Sequence, residues 1–210
     1  MKAGDFNAII PPLDSVRMKD FLDRVLQLPY KSNSQDNPEH EEQVKDLLDE
    51  FGIFYEYQPN GSQKFPDFRC ETKWGTLNIE CKSSKGHQPV YNGGLPKEGA
   101  LYIFSSQKYN ATTFFFGHDV CYHDTTVWMN DTISKLQETL DECRKVKPED
   151  DRGFDFYIRN MFIQQGGGEK CDYFTHTNRE LCESNVYNYF GWLSPINGGM
   201  GSKLIWLLYH

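Results

Sequence analysis

Of the charged side chains in the stretch PDFRCETKWGTLNIECK at residues 66–82, three are spaced to act together: Asp67, Glu80 and Lys82. Charges are costly to place on a buried strand, so their presence there asks for a use. Side chains alternate between the two faces of a strand, which puts Glu80 and Lys82 on one face and sends Ile79 and Cys81 into the core on the other. If 66–72 and 76–83 form a hairpin about a two-residue turn at Lys73-Trp74, Asp67 falls opposite Glu80; a turn at Trp74-Gly75 puts it opposite Lys82 instead. Either even register brings all three charges to one face. A three-residue turn breaks that parity unless a bulge restores it.

Two carboxylates at facing positions repel one another unless a cation sits between them. Hard oxygen ligands with no thiol or imidazole beside them suit Mg²⁺. The neighbouring lysine cannot ligate while protonated. It can hold a phosphate oxygen, orient or deprotonate water, or offset charge developing on phosphorus. Carboxylates for a metal plus an amine are the equipment for phosphodiester hydrolysis. The plainer alternative is a solvated hairpin face with an ordinary Asp/Glu/Lys ion pair, but such a face needs neither a proline before the aspartate nor a fully apolar opposite side.

Pro66-Asp67, twelve intervening residues, then Glu80-Cys81-Lys82 resembles the PD-(D/E)XK nuclease superfamily, most of all its Type II restriction endonucleases. The resemblance implies that Asp67 and Glu80 bind Mg²⁺ and that Lys82 serves the attacking water. It also implies a carboxylate from a preceding helix, for which Glu41 is the best-placed match and Glu42 and Glu39 are alternatives. It covers a helix–strand–hairpin–strand core of roughly residues 36–120. The implied fold is mixed α/β, restriction-endonuclease-like, with a central mixed sheet of about five strands flanked by helices. The implied activity is Mg²⁺-dependent, sequence-specific cleavage of double-stranded DNA to 5′-phosphate and 3′-hydroxyl ends, with a homodimer suited to short palindromic sites. Two other readings remain: a repair or recombination nuclease of the same superfamily, and a catalytically silent DNA-binding or partner-binding module.

Polar segments flank the motif. Asn60, Gln63 and Lys64, with Gln58 and Ser62, precede the aspartate; Lys85, His87, Gln88 and Asn92, with Ser83, Ser84 and Tyr91, follow the lysine. Lys85 suits a phosphate, whereas Gln63, Gln88 and Asn92 suit base edges. Residues 121–210 are expected to supply specificity or a dimer interface, with Arg152, Arg159, Asn160, Lys170, Asn178 and Arg179 as contact candidates. His118, Cys121 and His123, or Cys171, His176 and Cys182, are zinc-type residues, yet neither set has paired ligand spacing and each offers only three groups. Tyr187, Tyr189, Phe190 and Trp192 read as packing aromatics before base-stacking ones.

The elements that must position these groups follow from periodicity. Residues 14–28 place Val16, Phe21, Val25 and Leu28 near helical spacing, and Pro38 opens a second helix through Phe51, with Gly52 ending it. Strands are expected at 53–58, 65–72, 76–84, 100–106 and 112–120, the last two bracketing a turn at Lys108-Tyr109-Asn110. A helix is expected over 132–146 and another around 154–163, followed by loops and a final buried strand.

A length of 210 residues makes one domain, 1–210, the expectation. The chain is 38% hydrophobic, 15% aromatic and 25% charged, the composition of a folded protein and not of a disordered one. Its formal net charge of −8 argues against coating nucleic acid or anionic membrane by bulk charge, while leaving room for a local basic groove. No apolar run approaches a membrane span, and no leader is evident, so a cytoplasmic protein is expected. Six dispersed cysteines fit reduced thiols in that compartment.

Overall fold

The structure, a computed structural model, describes residues 15–31, 33–34, 37–148, 152–153, 155–158, 161–163 and 177–191. In chain order the elements are α1 (Ser15–Val25), β1 (Asn33–Ser34), β2 (Asn37–Pro38), α2 (Glu39–Glu50), β3 (Tyr55–Tyr57), β4 (Phe68–Thr72) and β5 (Gly75–Ser84). They continue with β6 (Val90–Tyr91), β7 (Leu101–Ser106), β8 (Ala111–Phe116), α3 (Gly117–Val120), α4 (His123–Lys145), β9 (Phe162–Ile163) and α5 (Thr177–Tyr189). The architecture is mixed α/β. A five-stranded mixed sheet runs in the order β3-β4-β5-β7-β8, and only the central pair β5–β7 is parallel.

Hydrophobic alternation decides which face of this sheet is covered. Phe68 and Cys70, Leu77, Ile79 and Cys81, Leu101 and Ile103, and Phe114 and Phe116 form one register-matched apolar face. Onto it pack Met18, Phe21, Leu22 and Val25 of α1 and Val44, Leu47 and Leu48 of α2, all buried. Each such side chain taken from water contributes about 1.5–3 kcal/mol, so this layer holds the helices in place. The opposite face carries a smaller cluster of Tyr91, Ala100, Tyr102, Phe104, Phe115 and Cys182. There Tyr102 stacks on Phe115 with ring centroids 5.5 Å apart and meets Tyr91 edge-on.

Several sequence expectations change. Val16 is 56% exposed; the inward stripe of α1 is Met18, Phe21, Leu22 and Val25, which follows helical spacing more strictly. The strand expected over 112–120 ends at Phe116, because the chain turns into α3 at Gly117. A Cβ at that glycine would lie 2.1 Å from the Lys97 carbonyl oxygen, so only glycine allows the close approach. The helix expected from 132 begins nine residues earlier, at His123. The helix expected around 154–163 is not found among the described residues there; Phe162–Ile163 pairs instead with Val90–Tyr91. Residues 177–189, read as loop, form α5, whose Val186 and the following Phe190 are fully buried against the sheet. The expected final strand lies outside the described residues. Among those described, no helix is long and apolar enough to cross a membrane.

Candidate active site

The β4–β5 hairpin positions the charged groups. Its register runs from Phe68 opposite Ile79 to Thr72 opposite Gly75, leaving Lys73 and Trp74 as the turn. This is the register in which Asp67, one residue before β4, falls opposite Glu80. Gly75 takes φ +110°, a backbone conformation that L side chains resist, and the Thr72 hydroxyl closes the turn by donating to the Gly75 carbonyl at 2.7 Å. Ile79 and Cys81 point into the core, so Glu80 and Lys82 project from the other face. The Lys82 ammonium stands 2.6 Å from Glu80 Oε1, with side chains 23% and 13% exposed.

Asp67 reaches the site differently. The regular ladder between β4 and β5 stops at Phe68–Ile79, and the Asp67 carboxylate accepts a hydrogen bond from the Cys81 backbone N–H at 2.7 Å. The side chain thus takes a main-chain donor of β5 and is anchored beside Glu80. Its environment disfavours charge: burial first, then the charges of Glu80 and Glu41, push its pKa up to about 7, against the opposing Cys81 hydrogen bond and the Lys82 ammonium.

Glu41, the expected helix carboxylate, lies in the first turn of α2 and accepts a hydrogen bond from the Tyr57 hydroxyl at 2.9 Å. Its charge is felt at Asp67. Glu42, an alternative, pairs instead with Lys45 at 3.1 Å. Glu39 begins α2.

The donor set can be weighed against a divalent cation. Glu80 Oε2 is buried and has no hydrogen-bond partner, while Oε1 is committed to Lys82. Asp67 is crowded by negative charge. An unsatisfied buried carboxylate oxygen beside a second, destabilised carboxylate is relieved by a hard cation, and the residues fit Mg²⁺ in this respect. Among the described residues no three His, Cys, Asp or Glu side chains converge closely enough to enclose a metal. Mg²⁺ does not require that: it is commonly held by one or two carboxylates, with water and substrate phosphate completing the shell.

The seven expected DNA contacts fall into two segments that lead into Asp67 and out of Lys82. Asn60 is used within its own loop, donating to the Phe65 carbonyl at 2.8 Å. Gln63 and Lys64 are exposed, Gln63 with φ +64°. Lys85 and Asn92 are exposed, and His87 and Gln88 half-buried with Gln88 Nε2 sequestered. Two bonds fasten the second segment to β7: Ser106 Oγ donates to the Gly86 carbonyl at 2.6 Å and Gln107 N to the Ser84 carbonyl at 3.0 Å.

Among the described residues, His118, Cys121 and His123 form no metal-holding group. His118 stacks on Phe116, and its Nδ1 accepts from Gly99 N; Cys121 Sγ sits 3.3 Å from Thr126 Oγ1; His123 is exposed at the start of α4. Cys182 is buried in the smaller cluster, and Cys171 and His176 lie outside the described residues. Tyr187 donates to Asp23 Oδ1 at 2.6 Å and packs edge-on against Phe114; Tyr189 and Phe190 meet Phe116. These three are packing residues. Trp192, Arg159, Asn160 and Lys170 lie outside the described residues; Arg152 is exposed, Asn178 is the second residue of α5, and Arg179 pairs with Glu183 at 2.8 Å.

Tyr57 and Tyr102 escaped the sequence reading. Tyr102 sits opposite Glu80 on β7, and its hydroxyl accepts from Lys97 N at 2.8 Å. Alternation along 100–106 could have placed its ring beside Glu80; nothing in the sequence pointed to Tyr57 meeting Glu41. Compared with known proteins, the chain matches no family model, no curated protein and no solved structure.

Proposed function

We propose that the protein is a Mg²⁺-dependent deoxyribonuclease of the PD-(D/E)XK kind, with a restriction-endonuclease-like core, acting as a Type II restriction endonuclease on specific double-stranded DNA sites. One observation carries the reading. The Lys82 ammonium lies 2.6 Å from a Glu80 carboxylate whose other oxygen is buried without a partner, beside Asp67, whose negative form is disfavoured in the metal-free site. A purely structural ion pair has no need of the additional buried carboxylate, and would be more stable without it.

Asp67 and Glu80 would hold the cation. When bound, Mg²⁺ supplies Lewis-acid polarisation of the scissile phosphate and a lowered pKa for ligated water. The chain's own residues do the rest. Lys82 orients the attacking water and offsets negative charge on the phosphoryl oxygens, and Glu80 fixes the ammonium in place. The Cys81 N–H holds the Asp67 carboxylate in a single orientation. Hydrolysis forms a bond from water oxygen to phosphorus and breaks the bond to O3′. The products are a 5′-phosphate and a 3′-hydroxyl, the latter taking up a proton. The exposed Gln63, Lys64, Lys85 and Asn92 supply phosphate and base contacts, and a homodimer suits a palindromic site.

The test is digestion of supercoiled plasmid, linear plasmid and a branched duplex with Mg²⁺ and with Ca²⁺, followed by sequencing of the ends. Discrete fragments with 5′-phosphates in Mg²⁺ support the proposal. Intact linear duplex alongside cut branched DNA would indicate a structure-selective nuclease instead. Absence of Mg²⁺-dependent cutting, or full activity in Asp67→Ala, overturns the proposal.

A further inference from the structure

Of the three carboxylates near the site, Glu41 is the one carried by a helix. A glutamate side chain has three rotatable bonds, and holding it in one orientation has an entropic cost that a fixed partner must offset. The partner here is specific. The Tyr57 hydroxyl donates to Glu41 Oε2 at 2.9 Å, and Gln58 Nε2 donates to the same Tyr57 oxygen at 3.0 Å. The direction of the chain is therefore set, from amide to phenol to carboxylate, and the Tyr57 proton is committed to Glu41.

The same two residues also fasten Asp67. The Gln58 backbone N–H donates to the Asp67 carbonyl at 2.7 Å, and the Tyr57 ring lies 5.3 Å from that of Phe68, the residue after Asp67. Gln58 adopts φ +46°, an unfavourable backbone for a non-glycine residue. Tyr57 itself is 42% exposed on the edge strand β3, so burial alone gives little reason for a tyrosine there. What its hydroxyl adds is a fixed orientation for Glu41, whose charge is felt at Asp67.

The geometry points to Tyr57, backed by Gln58, as a positioning residue that holds Glu41 beside Asp67, where its charge, without direct ligation, strengthens the binding of a divalent cation held by Asp67 and Glu80. This rests on the nuclease reading of those residues. A partner that orients a ligating or nearby carboxylate typically changes metal affinity by about 10–100-fold when removed. The simpler alternative is a staple between β3 and α2, which would affect stability and leave the cation unaffected.

Calorimetric titration of the full chain with Ca²⁺ alone separates the two. Tyr57→Phe keeps the ring against Phe68 and removes only the hydroxyl. It is expected to weaken Ca²⁺ binding about tenfold, with a smaller loss in Gln58→Ala and no further loss when Tyr57→Phe is added to Glu41→Gln. The Mg²⁺ concentration for half-maximal DNA cleavage should rise in parallel, with the maximal rate recovering at high Mg²⁺. Wild-type affinity in Tyr57→Phe, or an equal extra loss in the Glu41→Gln background, overturns the inference and leaves the site reading intact. Should Tyr57→Phe fail to fold, wild-type affinity in Gln58→Ala overturns it. No saturable binding by the wild-type chain overturns the site reading and this inference with it.

Discussion

Replacing Asp67 by asparagine should make the metal-free protein more stable, by an amount that grows as pH rises above about 4 and is complete above about 7. The ordinary carboxylate value of 3.8 is pushed up to about 7 here, chiefly by burial and then by Glu80 and Glu41. The sign follows from linkage. Below the unfolded value the group is protonated in both states and costs nothing. Between the two values the folded state holds a proton that the unfolded state has lost, so stability falls as pH rises; above about 7 the cost is complete. At about 1.4 kcal/mol per pH unit the gap corresponds to at most about 4 kcal/mol. Asparagine removes the charge and keeps an oxygen for the Cys81 N–H. The variant is therefore expected to gain about 2–4 kcal/mol at pH 8 and nothing at pH 3.5. Urea unfolding in EDTA, followed by tryptophan fluorescence at both pH values, reads the difference. At pH 8, Mg²⁺ should raise the stability of wild type and leave Asp67→Asn unchanged, since a ligand stabilises only the state that binds it. A variant equally or less stable than wild type at pH 8, or a gain of the same size at both pH values, would refute the idea of a desolvated aspartate crowded by negative charge.

Lys82→Ala leaves Glu80 without its ammonium partner in a largely buried position, and a loss of about 2–3 kcal/mol in EDTA is expected by denaturant unfolding. Saturating Mg²⁺ should restore part of it, because the cation becomes the partner of Glu80. His40 is buried on α2 with Nε2 3.2 Å from the Ile103 carbonyl, and burial lowers its pKa to about 4. A His lowered in this way stays neutral when folded, so it costs stability as pH falls from about 6.5 toward 4; an imidazole NMR resonance that titrates near 6.5 would contradict this. Gly117→Ala drives a methyl group into the Lys97 backbone at 2.1 Å and is expected to cost about 2 kcal/mol or more, read as a lower denaturation midpoint.

The elements nearest the site were the most legible because they depend on local rules. Period-two alternation assigned Ile79 and Cys81 to the core and Glu80 and Lys82 to the other face, and one of the two even turns, Lys73-Trp74, is the one adopted. Pro38 and Gly52 bracketed α2 for reasons of backbone conformation. Elements set by distant partners were not legible. The aromatic run 185–190 is helical because Val186 and Phe190 bury against β8 and Glu183 accepts from Thr113 at 2.5 Å, across a sequence separation of 70 residues. Phe162–Ile163 is a strand only because Val90–Tyr91 lies beside it. The early start of α4 was hidden because Tyr122 offers no side-chain cap. Within the site, helical phase suggested Glu41, but the hydroxyl that holds it comes from a strand sixteen residues on. The expectation that residues after 120 contact DNA remains a proposal; Arg179, for one, is engaged with Glu183.

Single-turnover cleavage of an end-labelled duplex carrying one cut site, in saturating Mg²⁺, comparing wild type with Lys82→Ala, tests the central claim most directly. The account predicts a Mg²⁺-dependent wild-type reaction giving a 5′-phosphate, and a rate at least about 100-fold lower without the amine. Equal rates for the two proteins would contradict it.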